Sequence, residues 1–334
     1  MVNKDKERYY GVDILRIIAT FCVIGVHFFL NTNYYDVDPG GFSMRIQSII
    51  RNFCMICVPL FIVISGYLNK NKEYNKSFFK KLFNILIIWF FYSLIEYFVL
   101  NIINGTYTDF NLKSTLYAIT TFKGCEYSWY IEMYIGLYLL SPILNNAFDS
   151  LNDKNKDYLF IIAIIMFILP SFINTLFINI IHIPCWWATI YPVGYYITGK
   201  YINYKQFNFK KKNLFILLVL TQIITFSYTY IGTINYDSLT TYISTIIVFL
   251  IFYNVNIKRN FSKNILKYIS SICLDIYLAS SLIDKIIYPV FNNQMNLHSI
   301  NQSNLIVFMP LVVLTVFIIS SIYGSVRKLI INVR

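Results

Sequence analysis

The chain has 334 residues, 57% of them hydrophobic, 19% aromatic and 13% charged, where a soluble domain has about 45–50% apolar and about 25% charged residues. That excludes a water-soluble globular fold, whose surface needs more charge. With Gly 12, Pro 8 and long apolar blocks, collagen-like, low-complexity and disordered chains are excluded as well, and a polytopic membrane protein is left.

A helix that crosses the hydrocarbon core takes about 20 residues. Blocks of that kind predict ten spans, at 10–31, 46–69, 80–103, 126–147, 158–178, 184–203, 213–232, 240–256, 264–289 and 304–326. No small-residue cleavage site follows the first, so it reads as a retained helix. The stretch 110–122 reads as a short interfacial segment, and 264–289 has a polar first half that suits the interface. The expected fold is therefore an all-α, polytopic transmembrane helix bundle of about ten spans, forming one domain over 1–334.

Cytoplasmic loops carry the excess of Lys and Arg. With both termini cytoplasmic, 22 of the 28 Lys and Arg residues fall on the inner side. Arg45, Lys113 and Lys123 fall outside, and Arg16, Arg51 and Lys285 lie within spans. The net charge of +12 is thus mostly topology, and nucleic acid is not an expected partner. The run Lys210–Lys212 reads as one of these inner loops, with membrane lipids as neighbours. Of the six cysteines, Cys54 and Cys57 form a CxxC inside an apolar run. No second pair completes a zinc set, so buried thiols and no metal are expected.

An ionisable group inside a span costs a few kcal/mol and marks a candidate site. The first span carries Asp13 and Arg16 three residues apart, close enough to pair. His27 follows Arg16 by eleven residues, about three helical turns, which puts both on one face about 16 Å apart along the axis. Glu132 is a second intramembrane carboxylate. It either orients the histidine or binds acceptor hydroxyls, or else pairs with Arg51 or Lys285. Glu96 and Asp275 read as structural or interfacial, His182 and His298 as solvated outer-loop residues, and Trp129, Trp186 and Trp187 as interfacial belts.

Asp13-Ile-Leu-Arg16 with His27 eleven residues on resembles the Arg-x10-His signature of the acyltransferase-3 family of integral membrane acyltransferases. Further segments are similar in the same order. Val58-Pro59-Leu60-Phe61 running into Ser65-Gly66-Tyr67-Leu68 resembles the end of that family's second helix, and Ser128-Trp129-Tyr130 with Tyr138 and Pro142 resembles a later one. Gly194–Gly199 and Ser270–Leu278 echo two more segments. Two departures stand out: Lys80-Lys81 replaces an Arg-rich pair, losing the bidentate fork, and Ala279-Ser280 stands where the family often has His.

The resemblance implies transfer of an acyl group, usually acetyl from cytoplasmic acetyl-coenzyme A, to a hydroxyl of a carbohydrate or lipid-linked glycan at the cell membrane. His27 would serve as general base or be acylated itself. Arg16, Lys80 and Lys81 would meet the donor's phosphates, with Asp13 holding Arg16 and Ser65 in the donor site. A transporter of a small polar solute such as an amino acid is the alternative, because the membrane half of membrane-bound serine racemases resembles the same family.

Overall fold

The computed structural model describes residues 8–37, 41–69, 72–105, 112–176, 190–228, 234–295 and 305–331. His182, His298, Trp186, Trp187, Cys185, Lys70, Lys4, Lys6 and Arg334 lie outside the described residues.

Each predicted block contains helix in its described part, although 46–69 breaks between Cys54 and Cys57 and the helix of 240–256 ends at Phe252. The helices are α1 (Tyr10–Leu30), α2 (Phe42–Cys54), α3 (Cys57–Leu68), α4 (Lys76–Ile103), α5 (Leu112–Thr120), α6 (Trp129–Asp149) and α7 (Asp153–Leu176). They continue with α8 (Tyr191–Lys205), α9 (Lys211–Tyr228), α10 (Leu239–Phe252), α11 (Asn260–Ser271), α12 (Cys273–Met295) and α13 (Leu305–Ile330). Among the described residues, α1, α2 with α3 as one run, α4, α7 and α13 are long and apolar enough to cross a membrane. The block 264–289 is broken: α11 and α12 meet at 56°, and count as a sixth span if taken together. The polar first half explains the break, since α11 carries its apolar residues on one face only. Helix α5 matches the short segment expected near 110–122. The other blocks are helical but shorter or more polar, α8 having 15 residues and α10 having 14.

The contacts group the chain into two compact units. One comprises Met1–Cys22, Asn52–Leu68 and Ile162–Ser271, the other Val23–Arg51, Asn69–Ile161 and Ile272–Arg334. The first unit is built on the crossing of α3 and α8, where glycines let the backbones touch. A Cβ on Gly66 would lie 2.0 Å from the Tyr196 carbonyl oxygen, and one on Gly199 2.2 Å from that of Val63. Without a hydrophobic drive between helices in lipid, such close backbone packing is what holds them.

In the second unit α12 is the spine, packed on α13 and α4. Arg327 of α13 reaches Asp275 of α12 with two charge-assisted bonds of 2.6 Å, and Tyr92 of α4 donates to the same carboxylate at 3.1 Å. Outward from this core, α4 exposes Phe83, Ile87, Phe90, Phe98 and Ile102, the row expected of a helix against lipid.

Candidate active site

His27 sits in the last turn of α1 and is 6% exposed. Its ring stacks on Tyr127, centroids 3.6 Å apart at 27°. Its Nδ1 is 3.7 Å from Oδ2 of Asp284, a carboxylate on α12 that is 1% exposed. The same Oδ2 accepts a hydrogen bond from the Tyr127 hydroxyl at 2.7 Å. Tyr127 is fixed in turn. It lies in a short 3-10 turn, Glu126–Ser128, whose Ser128 hydroxyl accepts from the Trp89 indole at 2.8 Å, and its carbonyl accepts from the Tyr277 hydroxyl. Asn31, one turn beyond His27, donates to the Tyr127 hydroxyl at 3.4 Å.

A carboxylate facing an imidazole fixes its tautomer and stabilises the imidazolium that forms when it takes a proton. At 3.7 Å the pair is beyond hydrogen-bond range, and catalytic pairs of this kind often tighten only once substrate is bound. His27 Nδ1 and Asp284 Oδ1 are buried without a hydrogen-bond partner, as are Glu96 Oε2, the Tyr288 hydroxyl and Asn292 Oδ1 in the same unit. A buried polar atom left unpaired costs about 1–3 kcal/mol. Asp284, Tyr288 and Asn292 follow one another at four-residue spacing on α12, so the unpaired atoms form a stripe along one helix face. Glu96 borders it, its Oε1 accepting from the Ser281 hydroxyl at 2.7 Å, while Lys285 pairs with Glu126 at 2.6 Å.

The carboxylate beside His27 is thus Asp284, and Glu132 is elsewhere. Glu132 is exposed on α6, on the face that also exposes Trp129, Leu139, Leu140 and Ile143. Helical phase turns that whole face outward. Glu132 meets neither Arg51, which donates to the Tyr35 hydroxyl at 3.0 Å, nor Lys285.

In the first unit Asp13 is 2% exposed and saturated. Arg8 holds both its oxygens at 2.6 and 3.0 Å, and the Ser270 hydroxyl donates to it at 2.7 Å. Arg16 reaches it at 3.5 Å and keeps a 35% exposed side chain. The expected pairing of Asp13 with Arg16 is present, but Arg8 is the tighter partner.

Residues 9–325 match the acyltransferase-3 family, described as an acyltransferase domain. The chain belongs to that family. An amino-acid racemase of Enterococcus faecalis is 27% identical over 168 residues, which are 48% of this chain but 23% of that protein; the match spans less than a quarter of that relative. No solved structure matches.

The remaining residues that the resemblance assigns to the donor are Lys80, Lys81 and Ser65. Lys80 and Lys81 are exposed in the first turns of α4. Ser65 donates back to the Phe61 carbonyl at 2.9 Å, and Gly66 beside it is where α3 meets the Tyr196 backbone. Near the start of α4 the chain also carries Lys72, its ammonium 3.7 Å from the centre of the Tyr138 ring. Burial, and then the Lys81 ammonium, pushes this lysine down to about 7. Among the described residues no group of His, Cys, Asp and Glu is arranged to hold a metal ion.

Proposed function

We propose that this membrane acyltransferase moves an acyl group, acetyl foremost, from cytoplasmic acyl-coenzyme A to a hydroxyl of a cell-envelope or exported carbohydrate, with His27 as general base. The observation that carries the reading is the buried imidazole stacked on Tyr127 and facing Asp284. Nδ1 keeps its proton toward Asp284, which leaves Nε2 free to accept one. The acceptor hydroxyl gives its proton to Nε2 as its oxygen attacks the thioester carbonyl. Collapse of the tetrahedral intermediate breaks the carbon–sulfur bond, and the imidazolium returns the proton to the departing thiolate. Asp284 stabilises the imidazolium, and Tyr127 holds Asp284 in place. The unpaired atoms of Tyr288 and Asn292 offer hydrogen bonds to a hydroxyl-rich acceptor.

The distribution of Lys and Arg supports cytoplasmic termini and ten crossings in the cell membrane. The experiment is release of coenzyme A thiol from acetyl-coenzyme A by the purified protein in liposomes, with and without a glycan acceptor. Loss of turnover in His27→Ala is expected. Unchanged turnover in that variant would overturn the mechanism, and amino-acid uptake with no acyl-coenzyme A requirement would overturn the function.

A further inference from the structure

At the start of α1, wholly within the first unit, lies an open cavity of about 730 Å³, a volume in the range that small-molecule and cofactor sites occupy. Its walls come from Arg8–Tyr10, the end of α3, the segments that follow α8 and α10, and α11. Three kinds of group line it. Tyr9, Tyr67 and Tyr253 form an aromatic wall, with Tyr67 ring centroids 6.3 Å from Tyr9 and 5.7 Å from Tyr253. Asn208, Asn254 and Asn256 present side-chain amides that make no hydrogen bond to the described residues. Lys263 presents an ammonium 5.4 Å from the Tyr10 ring centre and has no ion pair among the described residues.

Among the described residues the charge is one-sided. Arg8 is neutralised by Asp13, and neither Asp nor Glu among them lines the cavity. The free cation therefore asks for an anion. Amides carrying a donor and an acceptor side by side match the edge of a planar heterocycle, and aromatic rings match its faces. A carbohydrate would leave the cation without a counter-charge, and a bare phosphate would leave the rings and amides unused. The walls are preformed, because the Tyr253 hydroxyl donates to the Phe207 carbonyl and so staples the two loop segments together. Lys263 is seven residues before Ser270, about two turns along α11, so the face that bonds Asp13 through Ser270 also presents Lys263.

We propose that this cavity holds the adenine nucleotide head of the acyl-coenzyme A donor, with Lys263 on a phosphate and the Asn254 and Asn256 amides on the purine edge. The inference rests on the acyl-coenzyme A reading above. It moves the phosphate contact that the sequence suggests for Lys80 and Lys81 to α11.

The test compares coenzyme A with pantetheine, which lacks the nucleotide. Titration calorimetry on the full-length protein in detergent should show coenzyme A binding weakened about three- to tenfold by Lys263→Gln, the loss of one charge-assisted contact on a partly exposed site. Lys263→Glu should weaken it further, and Asn254→Leu with Asn256→Leu comparably. Pantetheine should bind all of these as it binds the wild type. In turnover, the KM for acetyl-coenzyme A should rise in Lys263→Gln while that for S-acetylpantetheine stays. If the wild type binds coenzyme A but the α10–α11 variants bind it equally well, the site is overturned and the function stands. The same holds if Lys80→Gln with Lys81→Gln carries the loss instead, or if pantetheine is lost in parallel. If the wild type neither binds nor turns over acyl-coenzyme A, the function itself fails and this inference with it.

Discussion

Asp275 and Asp284 both lie on α12, each 1% exposed, yet their surroundings differ. Both oxygens of Asp275 are taken by the Arg327 guanidinium, with Tyr92 adding a third bond. Gly324 makes this possible, since a Cβ there would lie 2.8 Å from that of Asp275. Asp284 has one oxygen on Tyr127 and the other unpaired, and it faces the His27 imidazole 3.7 Å away. A saturated buried carboxylate fixes helix positions, whereas an unsaturated one facing an imidazole keeps capacity for a ligand or a proton. Asp13 falls on the saturated side of the same contrast, held by Arg8 and Ser270.

The comparison breaks most visibly at His27. His27→Gln, which keeps most of the ring's volume, should lower acyl transfer by about 10²–10⁴-fold, the share of a general base, with little change in unfolding temperature. Thiol release and thermal unfolding in detergent read the two. Arg327→Leu should do the reverse, leaving Asp275 buried and uncompensated at a cost of about 3–5 kcal/mol. Its unfolding temperature should fall, and the KM values of whatever folded protein remains should not shift. Asp284→Asn sharpens the contrast. It should cost at least about tenfold in turnover without lowering the unfolding temperature, because no cation is orphaned.

The smallest effect belongs to Lys72. Its folded-state amine is pushed down to about 7 from the ordinary 10.5, so between those values the unfolded chain binds more protons than the folded one. Stability should therefore rise with pH through that window, and Lys72→Gln should flatten the rise, as denaturation at several pH values would show. At pH 8 most of the Lys72 amine is neutral, against under about 1% for an ordinary lysine. Acetic anhydride should accordingly label Lys72 ahead of Lys76, Lys80 and Lys81, with the sites read by mass spectrometry.

Much of α1 was legible because helical periodicity is local: eleven residues place Arg16 and His27 on one face whatever packs around them. Asp284 was not singled out, although its signal was available, an ionisable residue in a stretch already read as a span with Tyr288 one turn on. Glu132 drew attention by its charge alone. Its exposure follows from the phase of α6, where Trp129, Leu139, Leu140 and Ile143 share its face. The Ser65-Gly66 pair was legible as a motif, but whether a glycine serves a ligand or a neighbouring backbone depends on what approaches it, and here Tyr196 does.

By itself the sequence determined an all-helical membrane protein and the shared face of Asp13, Arg16 and His27, because hydropathy and the 3.6-residue period act over neighbouring residues. Only the tertiary structure decided which groups complete them. Ser270 meets Asp13 across 257 residues of chain, and Asp284 on α12 meets Tyr127 from a turn 157 residues earlier. Those pairings are set by which helix faces pack together, and no local pattern encodes that choice.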